Sequence, residues 1–551
     1  MRFTASRQAW LVALVLALAY GALSWAVLSR GFPHEDAYIL FKYARDVGRG
    51  AGIVFYPGGP RAEGATDFLW MLALAAGSAV HVDPALGAAV LDTAAFLICA
   101  RLFAGALLPL DARTAPLVVA TALLVLTPCA VAGYVGFGTT VFAVLALLLY
   151  RAYVRGEVSG IPAMGLVLGL LRPDGVVLAV AFALLALPLA RERGQARRYL
   201  VACAACAAAG AAYFVWRWRY FGELLPLPLY VKSHHARVPS GVGDTADWAL
   251  STLLPLVGLV VAARLLLGRA PPGRRAWLGL APFAAHVASF VLITTSQNVA
   301  NRFQAPAALA LLYLAMTLAA DRARTNAPTA ARTWGFVALS VVAFYPQAVI
   351  AADVLTGAFE RQYLDVFAWW LARTGGPSLR IASTEAGRML YWTDGPVLDL
   401  VGLSSPETAR TPPGRALLSQ FDPDVVMLHP GNALEENRAA AGRTGDVLRL
   451  DQPIATYVRP RLLRFLAPEL ASYDVLHRTN TEVAPVATLG WLATRGDAYE
   501  LYAVRFRSRK ARFHVVALRA SLPEKDAILA ELAAAHVPDP HASHLALTFA
   551  P

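Results

Sequence analysis

Two carboxylates, Glu35 and Asp36, stand side by side ahead of the run Ala37–Val47, in which Leu40, Tyr43, Ala44 and Val47 fall on one helical stripe. Such a pair admits two readings. In the local one, Asp36 caps the helix and Glu35 favours its positive end. In the chemical one, the pair is held at a surface and one carboxylate takes a proton from an acceptor hydroxyl as a general base. Farther on, Arg61 and Glu63 lie in the stretch Gly58-Gly59-Pro60-Arg61-Ala62-Glu63-Gly64. They read as an ordinary surface ion pair, or as a site where Arg61 grips a phosphate with the parallel bonds a guanidinium offers.

The elements that must position these groups are set by hydropathy. The 551 residues are 57% hydrophobic and only 16% charged, with a mean hydropathy of +0.50. A soluble globular chain is about 45–50% apolar and about a quarter charged, so the composition is that of a membrane protein. The net charge of +12 does not point to nucleic acid. The arginines cluster between apolar runs: Arg2 and Arg7, Arg151 and Arg155, Arg191 to Arg198, Arg264 to Arg275, and Arg322 to Arg332. That is the pattern of short cytoplasmic loops under the positive-inside rule. The four cysteines (Cys99, Cys129, Cys203, Cys206) all fall in apolar runs and build neither a disulfide framework nor a zinc motif.

A spanning helix needs about 20 apolar residues. Runs of that kind cover 9–29, 86–108, 115–132, 139–154, 175–190, 199–216, 248–268, 277–295, 302–320 and 333–352. The first lacks a small-x-small cleavage site and reads as an uncleaved helix rather than a signal peptide. Phe68–Val80 is too short to cross comfortably, and a crossing there would put every later basic loop on the wrong side, so it is expected to lie in the outer interface. The run Ile161–Leu189 carries Arg172-Pro173-Asp174-Gly175 at its middle. One helix would bury an Arg and an Asp at the bilayer centre, about 2.5–3.5 kcal/mol each on insertion scales. Two helices joined at the outer face are expected instead. The expectation is a polytopic inner-membrane protein of about eleven spans, with a cytoplasmic N-terminus and outer features at 30–85, 172–175 and 217–247.

After about Asp353 the chain changes character. Leu379–Ser383, Pro396–Leu400 and Pro423–His429 read as strands and Glu385–Tyr391 as a helix. Residues 1–353 are thus expected to form the transmembrane catalytic domain and 354–551 an extracytoplasmic α/β domain.

The outer-loop motifs resemble those of the GT-C superfamily of membrane glycosyltransferases, and within it the mycobacterial terminal β-(1→2)-arabinofuranosyltransferase group. Glu35-Asp36-Ala37-Tyr38-Ile39 looks like that group's Asp-Asp-Ala-Tyr-Ile, and Arg61-Ala62-Glu63-Gly64-Ala65-Thr66 like its Arg-Val-Glu-Gly-Tyr-Thr. Leu171-Arg172-Pro173-Asp174-Gly175 and the segment from Tyr220 and Gly222 through Pro226 to Tyr230-Val231-Lys232 are similar to further outer-face patterns. So are Ile381–Gly387 and Leu398–Leu403 in the soluble part. No single motif is decisive; their order and common face carry the likeness.

The resemblance implies a helical bundle beneath two juxtamembrane helices, and an inverting transfer of a sugar, such as arabinofuranose, from a polyprenyl-phosphate-linked donor in the membrane lipid. The acceptor would be an envelope glycan, lipid or protein. It makes Asp36, with Glu35 beside it, the catalytic base. Displacement through an oxocarbenium-like state releases a phosphate monoester, which needs cations. Arg61, Arg172, Lys232 and Arg302, all expected at outer helix ends, are the candidates; otherwise they are snorkelling helix-end charges. Tyr38, Glu63, Asp174, Tyr230 and His234 join them as candidates for substrate binding. Some relatives use a divalent cation near the equivalents of Asp36 and Glu63, and His234-His235 beside Lys232 raises the same question, so a metal stays open. The chain also departs from the group. Gly136-Phe137-Gly138-Thr139 replaces a Gly-Leu-Glu-Thr turn, and Ser296-Gln297-Asn298 replaces an acidic Gly-Gly-Asp. Two other classes compete: a secondary transporter, which would show repeats and midplane charge, and a non-catalytic carbohydrate-binding scaffold. Convergence of Glu35/Asp36, Arg172 and Lys232 on one outward cavity beside an apolar groove fit for a lipid tail favours the enzyme, and scattered positions favour the scaffold.

Overall fold

The computed structural model describes residues 2–107, 127–233, 239–267, 272–292, 298–320, 329–360, 363–429, 433–434, 447–467, 480–506, 512–534 and 541–550. Among these, six helices are long and apolar enough to cross a membrane: Arg7–Arg30, Pro84–Gly105, Gly175–Glu192, Ala196–Phe221, Gly241–Leu266 and the region Trp334–Ser378. Four further expected spans are present as shorter helices: Thr139–Arg155, Ile161–Leu171, Ala281–Ser289 and Ala305–Ala320. The one expected at 115–132 falls largely outside the described residues.

The break in the run 161–189 is where the charges demanded it. Helix Ile161–Leu171 stops because Arg172 turns extended (φ −149°, ψ 140°), and a new helix begins at Gly175. At the far end of that second helix Glu192 meets Arg275 at 3.9 Å, and Arg193 packs on Gly156. The described parts of the loops carrying Gly156, Arg193 and Arg275 therefore meet at one end of helix Gly175–Glu192, and the Arg172–Gly175 turn lies at its other end.

Two short helices lie at the turn end, Glu35–Gly48 and Phe68–Ala79, and they pack on each other. The first carries the apolar stripe expected of it, and it is buried over Ala37–Ala44 because the C-terminal domain covers its other side. Lys42 is fully buried and donates to the Thr393 carbonyl oxygen at 2.6 Å; Arg45 and Arg49 pair with Asp394 at 2.8 and 3.1 Å. Burial, with Arg45 close by, lowers the Lys42 ammonium to about 7.

Helix Ala330–Phe359 runs past Asp353 before Tyr363–Gly375 leads into the soluble domain. There β1 (Ile381–Ser383), β2 (Val397–Asp399) and β3 (Val425–Leu428) run parallel. They join β4 (Val447–Arg449), β5 (Tyr499–Phe506) and β6 (Arg512–Arg519) in one sheet of order β2-β1-β3-β6-β5-β4, in which β3-β6, β6-β5 and β5-β4 are antiparallel. The three parallel strands are those expected from sequence, and they are buried on both faces, as parallel strands are. Beyond the sheet, the segment with helix His544–Thr548 returns to the membrane domain. His544 is hydrogen-bonded to Tyr38 and to Asp83, both at 3.0 Å, and its backbone N–H donates to Gly31 at 2.9 Å.

Candidate active site

The site is built around the Phe303 ring, at the turn before helix Ala305–Ala320. Arg172 from the interhelix turn, Lys232 from helix Leu227–Ser233 and Arg302 itself lie over that ring, with charge centres 5.2, 5.3 and 5.1 Å from its centroid. Three cations gather around one ring despite their repulsion because the aromatic quadrupole and three carboxylates offset it. Asp36 Oδ2 accepts from Arg302 Nη2 at 3.2 Å. Asp174 takes Arg172 in a two-pronged pair (3.0 and 3.2 Å) and meets His286 at 2.9 Å. Asp67 faces Arg172 and Arg302 and is held by the Thr66 hydroxyl at 3.1 Å.

The cap reading of Asp36 does not hold. The N-cap of helix Glu35–Gly48 is His34, whose Nδ1 accepts from the Asp36 N–H at 3.2 Å, and the Asp36 carboxylate is turned to Arg302. Burial acts to raise its pKa but is outweighed by Arg302, His34 and Lys232, so Asp36 lies below the usual carboxylate range. Asp67 moves the other way, raised by burial. Burial and the neighbouring Arg302 lower Lys232 to about 8. At Asp174, Arg172 and His286 overcome burial and hold the group ionised. Two donors remain for a ligand: Arg302 Nη1 is buried without a hydrogen-bond partner, and Lys232 makes no ion pair among the described residues.

The other sequence candidates stand elsewhere. Glu35 does not share the site with Asp36; its carboxyl is hydrogen-bonded to Glu385 of the soluble domain, and burial and that second carboxylate push its pKa well up. Glu63 is paired with buried Arg217, whose Nε donates at 2.8 Å. Arg61 is exposed and stacks on Tyr220 at 4.6 Å. Tyr38 faces His544, and Tyr230 lies under Arg410 at 4.3 Å. His234 lies outside the described residues. Asp36 and Glu63 are each paired with a guanidinium, those of Arg302 and Arg217.

The departures have physical counterparts. At Gly138 a Cβ would sit 2.6 Å from the Trp70 ring, so no side chain fits at the position where the group the sequence resembles has glutamate. Arg302 lies instead over Phe137, at 3.8 Å from the centroid. Sequence reasoning missed Asp67, His286 and Phe303. Asp67 directly precedes an apolar helix and looks like a cap, yet makes no side-chain cap bond. That unused capping role is the one local sign of another task.

The segment 353–502 matches a family model described as a domain of unknown function, DUF8728. No curated protein sequence matches the chain. Among solved structures, ArnT from Cupriavidus metallidurans in the apo state superposes with a TM-score of 0.50 at 13% identity, over 80% of this chain and 96% of that one. The chain is an α-helical polytopic membrane protein with a GT-C-like fold and a C-terminal α/β domain.

Proposed function

We propose that the chain is an inverting glycosyltransferase that moves a sugar from a polyprenyl-phosphate donor to an envelope glycan, lipid or protein, at the outer face of a bacterial inner membrane. The observation that carries this reading is the convergence of Asp36, Arg172, Lys232 and Arg302 around Phe303, with Arg302 Nη1 and the Lys232 ammonium open. The donor phosphate takes those two cations. An acceptor hydroxyl attacks the anomeric carbon as the bond to the phosphate oxygen breaks. The hydroxyl proton passes to Asp36, and the bonding pair leaves with the phosphate monoester, where fixed cations stabilise the growing charge. Charged groups collected at one end of the bundle speak against transport, which places its site near the midplane. The sugar follows only from the motif likeness, which favours arabinofuranose.

The acceptor is assigned to a cleft of about 380 Å³ between the first loop and the soluble domain, where Tyr56 and Phe55 face Arg380, Glu407, Gln420 and Phe421. Aromatic rings beside charged and amide groups suit a carbohydrate. The test is sugar transfer in liposomes from a panel of polyprenyl-phosphate sugars with an envelope extract as acceptor. Turnover of one donor, lost in Asp36→Asn, supports the reading, and Phe421→Ala should then raise the acceptor KM and leave the donor KM unchanged. Equal turnover by wild type and Asp36→Asn removes Asp36 as base.

A further inference from the structure

On the opposite side of Glu35 lies a second group of chemically capable residues that glycosyl transfer does not use. Glu385 follows β1, His429 follows β3, and His514 lies on β6. The antiparallel register pairs Leu428 with Val515, so the next step along it sets His429 beside His514, and their rings lie 5.1 Å apart. His514 Nε2 is 3.4 Å from Glu385 Oε1, and one donor atom from each of the three residues falls within 4.8 Å of the others. Glu385 and His514 are only 7% and 6% exposed. The Glu35 carboxyl reaches the same place from the membrane domain, hydrogen-bonded to Glu385.

The backbone beneath these groups is fixed. The His429 N–H donates to Thr384 Oγ1 at 2.7 Å, the Glu385 N–H to Ser383 Oγ at 2.9 Å, and the Thr384 N–H to the Met427 carbonyl oxygen at 3.0 Å. Gly387 brings the two domains together: a Cβ there would lie 2.0 Å from the Glu35 carbonyl oxygen.

We propose that Glu385, His429 and His514 bind a divalent transition-metal ion of the zinc class, with Glu35 as fourth ligand, in a site that clips the soluble domain to the start of the Asp36 helix. The donor set argues for the metal class: two imidazoles with carboxylates suit zinc-like ions, whereas calcium and magnesium ask for six or more oxygens. Two ligands on a tetrahedral zinc ion with bonds of about 2.0–2.2 Å stand roughly 3.3–3.5 Å apart, which is the His514–Glu385 separation. Charge agrees as well, since two carboxylates meeting in a covered place call for a cation. The site is independent of the glycosyl-transfer reading; it stands or falls on metal content.

The experiment uses the untagged full chain in nanodiscs, stripped with chelator, loaded with Zn²⁺ and desalted. Elemental analysis should give about one zinc per chain, and zinc should raise Tm by several degrees. Co²⁺ in its place should show the visible bands of a tetrahedral nitrogen and oxygen site, without thiolate charge transfer. The size-conserving Glu385→Gln/His514→Gln pair should elute as the stripped wild type does, melt with it, and lose both the zinc and the Tm response. Glu35→Gln should weaken zinc affinity about tenfold or more; unchanged affinity would overturn Glu35 as fourth ligand. Equal zinc in the wild type and the double variant, or none in the wild type, would overturn the site.

Discussion

Asp36 and Glu35 are neighbours in sequence and carry the same chemical group, yet the structure sends them to opposite tasks. Asp36 faces a cation-rich pocket where Arg302, His34 and Lys232 keep it ionised. Glu35 points into the soluble domain against Glu385, in a place that favours its protonated form or a cation. One residue of helix rotates a side chain by about 100°, which here is enough to move it from one domain's chemistry to the other's. The lesson is that a carboxylate's role is set by its neighbours rather than by the motif that contains it.

The sharpest way to break this comparison is to neutralise each carboxylate in turn. Asp36→Asn should lower transfer by about 10²–10⁴-fold, the range of general-base catalysis, while Glu35→Gln should lower it less than tenfold; equal losses in the liposome assay would mean the two act as one pair. Next in size is Arg302→Gln, expected to cost about 10²–10³-fold through the lost donor. Because Arg302 holds the Asp36 pKa down, its removal should also move the acid limb of the rate profile to higher pH. Lys232 titrates near 8, and only its ammonium form binds phosphate. The donor KM should therefore rise as pH passes about 8, and Lys232→Arg should flatten that rise in a KM-against-pH series. The smallest effect is at Phe303, where Phe303→Leu removes the ring shared by three cations. About 0.5–1 kcal/mol of cation–π energy corresponds to a donor KM two- to fivefold higher, measurable by titration with the lipid donor.

What was legible in the sequence follows the range of the forces involved. Helix positions and the break at Arg172 come from local hydropathy and charge, and the structure has them. The three parallel strands were visible for the same reason, as short apolar runs between turns. Asp36, Arg172, Lys232 and Arg302 could be nominated because each sits at a helix end on one face. Their meeting at Phe303 could not, since it depends on how separate helices pack. The covering of the Glu35–Gly48 helix was missed because its partners, Thr393 and Asp394, lie about 350 residues away along the chain. The Glu385, His429 and His514 group stayed hidden because it arises from strand register across distant segments.

The His544 contact also bears on how the molecule is made. Tyr38, on the helix that carries Asp36, shares a hydrogen bond with a residue 506 positions later. At about 5–20 residues per second, ribosomal synthesis separates the two by roughly 25–100 s. During that interval the early loop has been inserted but lacks the histidine that closes over it. Full ordering of the Asp36 helix thus waits for the C-terminal domain to be synthesised and docked. A chain interrupted in that window would leave an immature loop at the membrane, one that quality-control proteases can recognise.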